Sequence, residues 1–127
     1  MTLYLKTVVG GTRYLIAAAQ VRDVAPAEEV PDALVVDCRL LFGTPVDRQG
    51  HHLAVEAGTG EPVDFVVDVI DGLVELDDDS FRTLPPIGRF GAAIDAVSVR
   101  ADGEMPALRL SIGAALLDQA RPVERVD

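Results

Sequence analysis

Apolar and β-branched positions concentrate between Pro62 and Leu76 (PVDFVVDVIDGLVEL), the longest such run in the chain. Written as a strand, it puts Val63, Phe65, Val67 and Val69 on one face and Asp64, Val66, Asp68 and Ile70 on the other. Two acids on the second face predict that it is only partly dry. Asp71-Gly72 then breaks the run. This dipeptide signals a hairpin between β-rich segments, and equally a bulge that bends one long strand. On either reading the stretch is the spine of a β domain.

Shorter alternating segments flank it. Leu3 to Val9 and Thr12 to Ile16 read as strands joined at Gly10-Gly11, with Tyr14 and Ile16 on one face. Ala17 to Val21 has helix-forming composition over about one turn, and Val24-Ala25 resumes the sheet before Pro26. Ala25 to Pro31 is a Pro-flanked acidic loop. Ala33 to Asp37 reads as a buried strand, followed by a helical turn, Arg39 to Phe42, stopped by Gly43. After a polar loop from Thr44 to Gly50, His51 to Ala57 alternates with Leu53, Val55 and Ala57 inward, and Gly58 to Glu61 turns the chain into the spine. Beyond Leu76, Asp79 or Ser80 is placed to cap a very short helix before Pro85-Pro86. Ile94 to Arg100 and Met105 to Leu110 are further strands about a turn at Ala101 to Gly103. Ser111 caps an amphipathic helix, Ile112 to Ala120, which Pro122 ends before a polar tail. Roughly nine short strands with one terminal helix predict a mainly β fold of barrel or sandwich type.

The 127 residues fit one domain or two small subdomains sharing a core. With 5% aromatic residues and no Trp, that core is built from Val, Leu, Ile and Ala. No apolar run approaches the roughly 20 residues of a membrane span, and the first residues do not read as a signal peptide. Cys38 is the only cysteine, which excludes an internal disulfide and suits a cytoplasmic location, and its apolar neighbours predict a buried thiol. Acids outnumber bases 21 to 11, a net charge of −10. Such a chain is a poor ligand for nucleic-acid backbones or anionic membrane surfaces.

Candidate chemistry is sparse. Adjacent His51 and His52 point to opposite faces of a strand and cannot share a metal, so they read as exposed polar residues. Asp77 to Asp79 lack the spacing of a Ca²⁺ loop. Asp68 and Asp71 are the nearest thing to a catalytic carboxylate pair, and nothing in the sequence marks either as tuned for proton transfer. Ser80, Ser98 and Ser111 lack a nucleophile-elbow context, and Gly10-Gly11 lacks the Lys-Ser/Thr of a phosphate loop. The expectation is a non-enzyme without metal or cofactor.

Three segments in order carry a family resemblance: LYLKTVVGGTRYLIAAAQVRDV (Leu3 to Val24), ALVVDCRLLFG (Ala33 to Gly43) and FVVDVIDGLVELDDDSFRTLPP (Phe65 to Pro86). The second is similar to a "P-V-V-D-L-R-x-L-L-G" stretch, with Asp37, Arg39 and Leu41 in place, and LRLSIGAALL near the end resembles a closing strand and helix. Together they resemble the CheW-like family, the coupling proteins that join chemoreceptors to the histidine kinase CheA. The specificity lies in their joint order, since each alone is mostly a buried-strand pattern.

The resemblance implies a single domain over residues 1–127, made of two small SH3-like β-barrel subdomains packed together, with short helices and a C-terminal helix. It favours a bend over a hairpin at Asp71-Gly72. It also implies a non-catalytic adaptor that binds the regulatory domain of a CheA-type kinase and a chemoreceptor tip. The family's receptor groove lies between the barrels, which makes Val21, Val24, Val36 and Val67 the candidate partner-binding residues. One departure bears on this. Where family members carry a strand and an "N-L-R-G" turn, this chain has only APAEEVPD, so the first barrel is expected to be shortened around residues 25–33. An open edge there would suit pairing with a partner or a second copy, and a divergent member that localises, inhibits or self-associates without coupling receptors is the alternative.

Overall fold

The computed structural model describes residues 1–25, 34–44, 46, 50–56, 63–85, 94–99, 106–112 and 121–122. The acidic loop with the shortened segment, the turns at 58–61 and 101–103, and all of the expected C-terminal helix beyond Ile112 lie outside these residues.

The described residues include eleven strands: β1 (Thr2–Val9), β2 (Thr12–Ala17), β3 (Val21–Ala25), β4 (Leu34–Asp37), β5 (His51–Val55), β6 (Val63–Val67), β7 (Val69–Leu76), β8 (Phe81–Thr83), β9 (Ile94–Ser98), β10 (Leu108–Leu110) and β11 (Arg121–Pro122). They form a six-stranded sheet, β7-β1-β2-β10-β9-β8, and a five-stranded sheet, β11-β4-β6-β5-β3. Among the described residues, helix is limited to α1 (Cys38–Leu41) and two 3-10 turns, Ala18–Gln20 and Asp78–Ser80. The fold is mainly β, in two small sheet units.

The six-stranded sheet starts from a local signal. β1 and β2 pair from Tyr4↔Ala17 to Val9↔Thr12. Gly10 and Gly11, at φ +59° and +81°, close the two-residue turn in the left-handed geometry that hairpins favour. Both strands are apolar on both faces because the sheet separates two cores. Leu5, Val9, Tyr14 and Ile16 face the five-stranded sheet and join Val36, Leu53, Phe65 and Val67 in the larger core. Tyr4 and Leu15 face the other way, onto Leu76, Phe81 and Ala96.

The spine divides differently from the sequence reading. Residues 63–67 belong to the five-stranded sheet and 69–76 to the six-stranded one, so the chain changes sheets at Asp68. Asp71-Gly72 is a bulge inside β7. Leu5 faces Leu73 while Thr7 faces Ile70, which leaves one extra residue on β7, and Gly72 takes it up at φ +92°. The bend preferred over a hairpin is there, and the sharper break sits three residues earlier.

Other expectations need correction. Only Leu108–Leu110 of the strand expected over Met105 to Leu110 is described as strand; Pro106, with no N–H to give a ladder, lies outside it. The turn at Asp78–Ser80 has no side-chain cap, the Ser80 N–H donating to the Asp77 carbonyl instead. Arg121–Pro122 is not tail but a short strand against Val35 and Leu34. Two pairings, β4–β6 and β2–β10, are parallel, joining segments far apart in sequence.

Candidate functional site

The four candidate valines separate into two pairs. Val36 and Val67 are 2% and 0% exposed, inside the core between the sheets. This corrects their assignment as partner-binding residues: they hold the sheets together and present no surface. Val21 and Val24 lie on β3, the edge of the five-stranded sheet among the described residues. They pair with Val55 and Leu53, and the register slips between Val21 and Asp23, so both valines take the core-facing side. Val21 packs against the larger core, whereas Val24 at the rim is 48% exposed.

At the ends of β4 and β6 the two sheets are tied by buried charge. The Asp37 side chain accepts from the Arg39 backbone N–H at 3.0 Å, capping α1. The same carboxylate takes two bonds from the guanidinium, Nε to Oδ1 at 3.0 Å and Nη2 to Oδ2 at 3.1 Å. This bidentate grip aims Arg39 at Asp68, whose Oδ1 lies 3.7 Å from Nη1 and takes no hydrogen bond. Asp68 Oδ2 accepts from the Gly10 N–H at 2.7 Å, and the Asp68 N–H donates to the Val8 carbonyl at 3.0 Å. One residue thus closes the crossing between sheets and fastens it to the β1–β2 turn. Stacking of Phe42 on Tyr14, centroids 4.7 Å apart and planes within 6°, adds an apolar tie across the same junction.

A second buried acid has a different partner. Asp64, expected on a partly wet face, is only 4% exposed, and its Oδ2 is 2.5 Å from His52 Nδ1. Burial pushes its carboxyl above the usual range, and the hydrogen bond and charge of His52 pull the other way. His52 is therefore not the exposed polar residue expected from sequence, while His51 on the opposite face is exposed. The sequence carried no sign of either acid's burial, because the compensating groups come from other strands. Asp68 and Asp71 do not converge: the first is clamped in the crossing and the second is exposed at the bulge. Among the described residues no group of three or more His, Cys, Asp or Glu is placed to hold a metal ion. No described helix is long and apolar enough to cross a membrane.

The arrangement is a buried charged centre, with an apolar rim at a strand edge elsewhere in the five-stranded sheet. No protein-family model matches the chain, and no curated protein does. Among solved structures, it is similar to the scaffolding protein TtCheW from Thermoanaerobacter tengcongensis, with a TM-score of 0.70 over 87% of this chain and 89% of that one, at 15% sequence identity. The chain has the CheW-like fold.

Proposed function

We propose that this protein is a non-catalytic adaptor of a bacterial chemosensory or related two-component pathway, working in the cytoplasm as a single domain. Its partner on this reading is the regulatory domain of a CheA-type histidine kinase, with a chemoreceptor tip as a second ligand. The observation that carries the reading is the likeness to a scaffolding protein over nearly the full length of both chains. The rim of β3 supports it, since Val21 and Val24 put apolar surface beside a sheet edge, the arrangement that strand-adding partners use.

A second reading, an adaptor that localises, inhibits or self-associates without coupling receptors, is favoured by one observation: nothing in the sequence corresponds to the Asn-Leu-Arg-Gly turn. Calorimetric titration with the kinase regulatory domain of the same organism, then with a receptor signalling tip, separates the two. Heat on both titrations supports the coupling role, and heat on the first alone supports the second reading. Heat on neither removes kinase binding from both readings. Val24→Asp, which adds a charge at the rim, is expected to weaken kinase binding at least tenfold without changing the fold.

A further inference from the structure

The face of the six-stranded sheet that carries Tyr4 and Leu15, turned away from the larger core, holds two cations that its own packing does not use. Lys6 pairs with Leu15 and Arg13 with Val8, so on the β1–β2 hairpin Lys6 and Arg13 are diagonal neighbours on one face. Both are half-buried and line one shallow cleft that opens to solvent. Neither makes an ion pair or a side-chain hydrogen bond among the described residues. In a chain with 21 acids and 11 bases, two adjacent cations with no carboxylate at ion-pair distance among the described residues stand out.

The rest of the cleft defines what would complete it. Asp71, brought there by the β7 bulge, also lines it, so the three side chains sum to a single positive charge. Ser98 is 3% exposed, and its Oγ accepts from the Ala107 N–H at 2.9 Å, which leaves its O–H to donate. Leu15, Val74 and Leu76 supply an apolar wall. A doubly charged phosphate would overfill this balance and meet Asp71, whereas one carboxylate matches it and suits the planar fork of Arg13.

We propose that this cleft binds a small monocarboxylate with an aliphatic body, either a free acid or the C-terminus of a polypeptide. The site is independent of the kinase-binding reading, because it lies on the face of the sheet turned away from the larger core. The test is an NMR titration of the full chain with butyrate, N-acetylleucine, N-acetylleucinamide and inorganic phosphate. The expected result is saturable shifts at Lys6, Arg13, Ser98 and Ala107 with one or both carboxylates and none with the amide. Tighter binding of butyrate identifies a free acid as the ligand, and tighter binding of N-acetylleucine a chain terminus. Lys6→Met and Arg13→Met should each weaken binding about tenfold, the loss of one charge-assisted contact, while Lys6→Arg restores it. Absence of shifts, equal shifts with the amide, phosphate binding as tight as butyrate, or folded Met variants that bind unchanged would each overturn the proposal.

Discussion

Asp68 and Arg39 show why residue identity matters more here than composition. An acid in the middle of an apolar run looks like a polar interruption, yet Asp68 is 8% exposed and accepts from Gly10, 58 residues away. Arg39, itself held by Asp37, faces its carboxyl group. Removing one member of such a buried group leaves the others uncompensated. Arg39→Met is therefore expected to lower unfolding stability by about 3–5 kcal/mol. Urea denaturation with an unchanged m-value reads this directly, and a loss below about 1 kcal/mol would mean the clamp contributes little. Next to it, burial first, and the Asp37 charge second, push the Cys38 thiol up to about 12 from an ordinary value of 9.0. The folded chain keeps a proton that the unfolded chain loses. This contribution is thus fully present below about pH 9 and is lost as pH rises toward about 12. A thiol reagent at pH 8 should leave the native protein unmodified and label it at once in denaturant, and the decline in stability above pH 9 should flatten in Cys38→Ala. Rapid native labelling would contradict the burial.

At the scale of elements, position in the sheet sets local stability. β6 has neighbours on both sides, β4 and β5, whereas β3 has only β5 among the described strands. Hydrogen exchange should accordingly be slowest across Val63–Val67 and markedly faster at Val21–Ala25, since edge amides open without disturbing the core. Uniformly slow exchange would show that β3 is covered rather than a rim available to partners. Much at this scale was legible from local pattern. The β1–β2 hairpin follows from Gly10-Gly11 between apolar runs, and the end of the helical turn after Asp37 from Gly43. In β5, alternation placed Leu53 and Val55 inward, as they are. The split of the spine was not legible. Val63 to Leu76 reads as continuous strand propensity, and only the acceptor at Val8 and the donor at Gly10 select Asp68 as the point of crossing.

The whole molecule is organised around a core to which both sheets contribute. Phe65 is fully buried there, in contact with residues of each sheet's inner face. A shared core of this kind couples the two units, so the protein is expected to unfold in one transition with equal calorimetric and van't Hoff enthalpies. Phe65→Ala should cost about 3–5 kcal/mol and lower that single transition without splitting it. Two resolved transitions would indicate that the sheets are separately stable domains. The same arrangement explains the outcome for the candidate valines. A sequence resemblance can place Val36 and Val67 near a groove between subdomains, but whether they line its surface or fill its floor depends on how closely the sheets approach.

The sequence by itself determined what depends on neighbours within a few positions: the β class, the hairpin turn, the inward faces of short strands and the glycine that stops α1. It also carried, through the order of its segments, the CheW-like fold that the structural likeness bears out. The tertiary structure decided the rest: the parallel β4–β6 and β2–β10 pairings, the crossing at Asp68, the burial of Asp64, and the gathering of Lys6, Arg13 and Ser98 about one cleft. These depend on groups from remote strands, as in the 3.4 Å contact between Arg109 and Tyr4, 105 residues apart. Local periodicity states which face of a strand is apolar, and only packing states what that face meets.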